Sequence, residues 1–188
     1  MEMILRDFCA AYGMRGIALR YFNPIGADPQ LRSGLQIKKP SHAIGRLVEV
    51  QMERIPEFTI TGSDYPTRDG TGLRDYIHVW DLARAHVKAV EGFERAFERA
   101  GSPDDNYLVI NLGTGTGATV RELVTAFESV IGEAINKSDG PRRPGDTAGS
   151  YCSADTAKRL LDWEAELSIE QGIRDALRWG EVRDEILK

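Results

Sequence analysis

Short apolar runs of strand length alternate with stretches of helical period along this chain, and that alternation restricts it to an α/β layering. Residues 16–22, 58–61 and 107–112 are apolar or β-branched runs that predict strands. Between them, Met1, Ile4, Leu5, Phe8 and Cys9 recur at helical spacing until Gly13. Residues 41–53 predict a second helix, and Leu82, Ala85, Ala89, Phe93 and Phe97 share one face of a single long third one. Thr119 with Glu122, and Ser168 with Gln171, have capping-box spacing. The first opens a helix with the stripe Leu123, Ala126, Phe127, Val130 and Ile131. The second opens the last helix, which carries Ile173, Leu177 and Trp179. Asn23-Pro24 is expected to end the first strand, because proline cannot donate to a ladder. Residues 26–40, 64–72 and 140–149 predict loops, residues 104–106 a turn, and 135–139 no strand.

Composition narrows the function classes. Hydrophobic residues at 41% and charged ones at 28% fit a folded globular chain. A net charge of −5 argues against non-specific nucleic-acid binding, which needs clustered Lys and Arg, but leaves room for a site holding one diphosphate. No apolar run approaches the roughly 20 residues of a membrane span. Cys9 and Cys152 stand far apart and outside any CxxC, so two free thiols and a cytoplasmic setting are expected. His42, His78 and His86 have no metal-ligand spacing, and no metal site is expected.

The glycine loop GTGTGA at 113–118 follows a strand and precedes a helix, the setting of a dinucleotide fingerprint. Two features weigh against that use. A long helix comes before the loop, and no strand ending in an acidic residue is evident after it. The loop is therefore read as a tight turn from strand into helix.

Four segments together are similar to the UDP-glucose 4-epimerase family of extended short-chain dehydrogenases/reductases. They are LRYFNPIGA at 19–27, DYPTRDGTGLRDYIHV at 64–79, NLGTG at 111–115 and RRPGD at 142–146. The resemblance implies the substrate-binding lobe of an extended Rossmann-type α/β fold. Residues 1–25 would be the end of the Rossmann part and 26–188 mainly the substrate lobe of one UDP-sugar-binding region. It implies Phe22 at the nicotinamide end of NAD, and Asn23, Arg74 and Arg143 on the sugar diphosphate. Asp146 would accept from ribose hydroxyls, and Thr59, Ile60 and Thr61 would run beside uracil. Guanidinium suits the phosphates because its planar fork offers paired donors and keeps its charge. Ser41, His42 and Ala43 stand where many members carry Asn-Asn-Leu, and Thr61 stands where many carry an aromatic residue. Ser150 is small where some members are bulky, which implies room for an N-acetyl group. Arg74 beside Asp75 also reads as a surface ion pair, and Arg142 with Arg143 as a solvated loop.

The chemistry that the resemblance implies is interconversion of UDP-glucose and UDP-galactose, as part of galactose metabolism, through a 4-keto intermediate. A tyrosine of a Y-x-x-x-K motif is the base and NAD is the hydride carrier. Six tyrosines occur here, and the residues four places on are Gly16, Ile25, Asp69, Trp80, Asn111 and Asp155. None is lysine. The Rossmann glycines of the family are missing too, and the chain opens inside a helical pattern without a cap. The expectation is a C-terminal fragment that lacks the NAD-binding domain, holds the UDP-sugar pocket and is inactive alone. Family members pair as homodimers through helices near that tyrosine, of which residues 1–13 would be the remainder. An epimerase acting on UDP-GlcNAc or a UDP-uronate, and a non-catalytic UDP-sugar-binding module, stay open.

Overall fold

Gly13 takes the left-handed conformation (φ 64°) that glycine reaches without a Cβ penalty, and it stops the first helix, α1 (Glu2–Tyr12). The structure is a computed structural model and describes residues 1–101 and 106–187; Asp104 and Asp105 of the expected turn lie outside the described residues. After α1 come β1 (Gly16–Tyr21), β2 (Asn23–Ile25), α2 (Ala43–Gln51), β3 (Phe58–Thr61), β4 (Leu73–Arg74) and β5 (Tyr76–His78). Next are α3 (Val79–Glu91), α4 (Phe93–Ala100), β6 (Tyr107–Leu112), β7 (Ala118–Thr119) and α5 (Val120–Ile131). The chain closes with β8 (Lys137–Gly140), β9 (Gly149–Ser150), α6 (Asp155–Leu161) and α7 (Ile169–Ile186).

The pairing is mostly parallel. β1 runs beside β6, β2 beside β5 and β3 beside β8, each in parallel, while β4 lies between antiparallel β7 and parallel β9. Asn23-Pro24 does not end the extended run, contrary to expectation. The chain instead changes partner: Phe22 N donates to Leu112 O at 3.4 Å, and Asn23 N donates to Asp75 O at 2.9 Å. Alternate N–H groups face alternate neighbours, so the donor that Pro24 lacks is not one that β5 needs. That switch carries the chain from one pair of strands to the next and points Asn23 toward the cavity described below.

Three other expectations are corrected. The stripe from Leu82 to Phe97 belongs to two helices, because Gly92 closes α3 with its N–H on Lys88 O and opens α4 with its carbonyl on Ala96 N. The break preserves the apolar phase, so periodicity alone does not reveal it. Residues 137–140 form β8 although Lys-Ser-Asp-Gly has no apolar residue. That strand is held by backbone bonds to β3, with Phe58 N on Asn136 O and Gly62 N on Gly140 O, both 2.9 Å. The last helix has half a capping box: Ser168 Oγ accepts from Gln171 N at 3.2 Å, while the Gln171 amide donates to Asp175.

Two apolar cores lie on either side of the β2–β5 pair. One joins Ile77, Leu82, Phe97, Leu108, Ile110, Leu160 and Trp163, with Ile17 and Leu19 packed on it. The other joins Ile25, Leu47, Phe58, Ile60, Tyr76, Leu123, Phe127 and Ile173. Tyr76 and Ile77, neighbours on β5, enter different cores because side chains alternate across a sheet. Among the described residues no helix is long and apolar enough to cross a membrane, and no cluster of three or more His, Cys, Asp or Glu could hold a metal ion.

Gly26 joins this frame to the site. It has φ 89°, and a Cβ there would lie 2.7 Å from His78 Nε2. His78 is fully buried; its Nδ1 accepts from Trp80 N at 3.0 Å, so Nε2 holds the proton and donates to Asp175 Oδ2 at 3.2 Å. Gly26→Ala should lower stability by about 2 kcal/mol or more, from backbone strain and displacement of that imidazole. Urea unfolding checks this, and a loss below about 0.5 kcal/mol would mean the backbone relaxes freely there.

A candidate nucleotide-sugar pocket

The long motif at 64–79 holds its surroundings through three acidic or imidazole groups, the half-buried Asp69 and the fully buried Asp75 and His78. Asp69 Oδ1 accepts from Thr71 N (2.9 Å) and Thr71 Oγ1 (2.8 Å), and its Oδ2 accepts from Thr119 Oγ1 (2.5 Å). Thr119 is at the same time the cap of α5, with a complete capping box to Glu122. Asp75, fully buried, reaches into the glycine loop. Its Oδ1 accepts from Thr114 N (2.9 Å) and Thr114 Oγ1 (2.7 Å), and its Oδ2 from Gly115 N and Cys152 N (3.3 Å each). A Cβ on Gly113 would collide with Asp75 Oδ2 and fall 2.5 Å from Cys152 Sγ. The loop's bare backbone is thus wrapped around a protein carboxylate, which accounts for its glycines without a pyrophosphate. The surface ion pair between Arg74 and Asp75 is not formed, since the Asp75 carboxylate is committed to that loop.

Fixing Asp69, Asp75 and His78 leaves Gly72, Arg74 and Tyr76 of the same motif free to face a cavity of about 1280 Å³. Its walls come from β2, the 26–42 segment, α2, β3, Tyr65, β4, β5, the start of α3, Val120 of α5, α7 and the segment around 143–146. Arg74 Nη1 donates to Leu73 O (2.8 Å) and Thr147 O (3.4 Å), and Nη2 lies 3.7 Å from Asp146 Oδ1. Asp146 N donates to Arg143 O at 3.1 Å, and Arg143 Nη1 donates to Ser41 O at 3.4 Å, immediately before the start of α2. Arg74, Arg143 and Asp146, far apart in sequence, therefore meet at one wall. Arg142 and Arg143 are exposed, as a solvated loop implies; there the Arg142 Nε donates to Asp64 Oδ1 at 2.6 Å, and its guanidinium lies 4.2 Å over the Tyr65 ring.

His42 is the N-cap of α2, with Nδ1 accepting from Gly45 N at 3.2 Å. An acceptor at Nδ1 requires the neutral ring with its proton on Nε2. Burial lowers the His42 pKa, which favours the same form. A lowered folded value means this cap is intact above the ordinary value of about 6.5 and is lost as pH falls through the folded one. Thermal unfolding between pH 7.5 and 5 should therefore fall more steeply for the wild type than for His42→Asn, whose amide caps at every pH in that window. Equal slopes would remove His42 from the account.

The other candidate residues divide. Asn23, His42, Ala43, Thr59 and Thr61 line the cavity with Arg74, Arg143 and Asp146. Phe22, Ile60 and Ser150 do not. Ile60 is buried at 2% exposure in the second core, since β3 alternates and only Thr59 and Thr61 face out. Ser150 is exposed on β9, and Phe22 is half-buried where the chain changes strand partners. Residues that sequence reasoning did not single out complete the wall, among them Lys39, Arg46, Trp179 and Arg183. Trp179 Nε1 donates to Leu35 O at 2.9 Å, and Gly34 packs so closely that a Cβ would meet the indole at 2.5 Å.

Burial pushes the Tyr76 phenol up to about 12, so it stays protonated and acts as a donor near neutral pH. Burial and the Asp75 carboxylate push the Cys152 thiol up to about 11, which leaves a packing side chain and not a nucleophile. The wall offers groups suited to binding: the guanidiniums of Arg74 and Arg143 among four arginines, the Asp146 carboxylate, a capped helix N-terminus and a β-strand edge.

The model of the NAD dependent epimerase/dehydratase family matches residues 1–103. The chain is 43% identical over 181 residues to the UDP-glucose 4-epimerase of Bacillus subtilis, covering 95% of this chain and 51% of that protein. It is similar to a crystal structure of UDP-glucose 4-epimerase from Bifidobacterium longum in complex with NAD+ and UDP (TM-score 0.87, 37% identity, 97% of this chain and 52% of that one). A UDP-glucose 4-epimerase from Stenotrophomonas maltophila, with bound NAD and formylated UDP-arabinopyranose, has the same TM-score and identity over 98% of this chain and 53% of that one. The chain spans about half the length of the relatives it matches.

Proposed function

Because this chain belongs to the NAD dependent epimerase/dehydratase family, we propose that its cavity is the UDP-sugar pocket of a UDP-glucose 4-epimerase. The observation that carries this is the meeting of Arg74, Arg143 and Asp146 at the start of α2 on one cavity wall. Each group suits one part of the ligand. The two guanidiniums and the helix pole hold the diphosphate, and the Asp146 carboxylate accepts from ribose hydroxyls. The strand edge at Thr59 and Thr61 runs beside the base, and Asn23 hydrogen-bonds the sugar diphosphate. In this reading residues 26–188 are mainly the substrate lobe, and 1–25 end the cofactor-binding part.

These residues bind and orient; they do not exchange protons with the sugar. Bound NAD would supply a reversible hydride acceptor in the whole enzyme, and Phe22 is the residue of this chain that would stand at its nicotinamide end. The glycine loop at 113–117 is not assigned to it, because its amides already serve Asp75. None of the six tyrosines has lysine four places on, so the 188 residues by themselves should give no turnover. Family members pair through helices near the tyrosine of the Y-x-x-x-K motif; of that surface only α1, with its exposed Met3, Ile4, Phe8 and Tyr12, belongs to these residues, which is too little to expect pairing of this chain by itself. Two free buried thiols fit a cytoplasmic setting.

A chimera tests the assignment. Joined behind the amino-terminal half of the Bacillus subtilis relative, this chain should restore conversion of UDP-galactose to UDP-glucose. A chimera that folds and holds NAD but gives no UDP-glucose would count against a 4-epimerase pocket.

A further inference from the structure

The cavity is lined by five permanently basic side chains against three acidic ones, in a chain whose net charge is −5. Its carboxylates are all accounted for: Asp28 by Arg32, Glu49 by Arg54 and Asp146 by Arg74. Its cations are not. Lys39, Arg46 and Arg143 have no carboxylate at ion-pairing distance among the described residues, and the Arg46 guanidinium makes no hydrogen bond to them. Arg46 is half-buried on α2, four residues after His42 and hence on the same face of the helix. Arg143 is held to Ser41 O just ahead of that helix. Two unpaired guanidiniums therefore flank the positive end of α2. Arg46 is half-buried while Lys39 and Arg143 are exposed, so their mutual repulsion is modest, and an anion between them relieves it.

We propose that Arg46 is a third diphosphate-binding guanidinium, acting with Arg74 and Arg143, and that it makes the pocket favour a nucleoside diphosphate over the monophosphate. The inference rests on the UDP-sugar reading above, but inorganic diphosphate tests it separately. Charge-assisted bonds from a guanidinium fork to a dianion are stronger than those to a neutral acceptor, so the loss of one fork falls mainly on the diphosphate.

Calorimetry of the 188-residue chain and its Arg46→Gln variant with UDP, UMP and inorganic diphosphate is the test, in metal-free buffer. Arg46→Gln should weaken UDP and inorganic diphosphate by about tenfold and UMP by much less. Arg46→Met keeps the aliphatic stem and replaces the Gln variant if that one melts early. Unchanged UDP affinity in a folded variant overturns the proposal, as does an equal loss for UDP and UMP. If the wild type binds inorganic diphosphate as tightly as UDP, the nucleotide reading fails, while the variant's effect on diphosphate still decides the role of Arg46.

Discussion

Replacing Asp75 with alanine should lower folding stability by about 4 kcal/mol. The substitution leaves Thr114 N, Gly115 N and Cys152 N, all bound to that carboxylate, without an acceptor. Buried donors left unpaired cost about 1–3 kcal/mol each, so even the low end of that range is a large part of a domain's stability. Asparagine at this position is a poorer remedy than its size suggests. In Asp75→Asn one carboxylate oxygen becomes an NH₂, which would face donors on the side of Gly115 and Cys152. Urea unfolding of Asp75→Ala and Asp75→Asn checks this. A loss under about 1 kcal/mol in both would show that the glycine loop keeps its shape without the carboxylate. Because Asp75 lies between Arg74 and Tyr76, its removal should also weaken any ligand held by the cavity.

Arg74→Ala and Arg143→Ala should each weaken UDP binding by about 3 kcal/mol, roughly 100-fold, with little loss of stability. Both side chains end at the cavity; Arg74 spends Nη1 on Leu73 O at 2.8 Å, while its approach to Asp146 (3.7 Å) and that of Arg143 to Ser41 O (3.4 Å) are long. Such contacts orient a guanidinium but leave most of its donors available. Arg142→Ala is the internal comparison. Its guanidinium is spent on Asp64 and on the face of the Tyr65 ring, and Arg142 itself does not line the cavity. Equal losses from Arg142→Ala and Arg143→Ala would mean that general positive charge, not position, holds the ligand.

The sequence made the α/β class, most elements and the capping box at Thr119 legible, because apolar period and cap chemistry are local signals. β8 was not legible. Lys-Ser-Asp-Gly is a strand held by backbone bonding to β3 and by ion pairs of Lys137 with Glu128 and Asp139 with Arg121, none of which leaves an apolar pattern in the sequence. The break at Gly92 escaped because the stripe runs through it in phase. Motif resemblance located Arg74, Arg143 and Asp146, which do meet, but it also pointed to Ile60 and Ser150. Alternation along β3 turns Ile60 into the core, and β9 leaves Ser150 in solvent. Within the long motif, the most recognisable residues proved to be scaffold: Asp69, Asp75 and His78 hold loops and caps, and that scaffold places Arg74. Arg46, Trp179 and Arg183 carry no motif, and only packing of α2 and α7 brings them to the same cavity.

The central claim is that these residues form a pocket for a UDP-sugar, and calorimetric titration of the wild-type chain with UDP tests it most directly. The account predicts saturable binding at one site per chain, with a dissociation constant at or below about 1 mM and a matching rise in melting temperature. No heat and no thermal shift at millimolar UDP, from a chain that is folded by its unfolding transition, would contradict it.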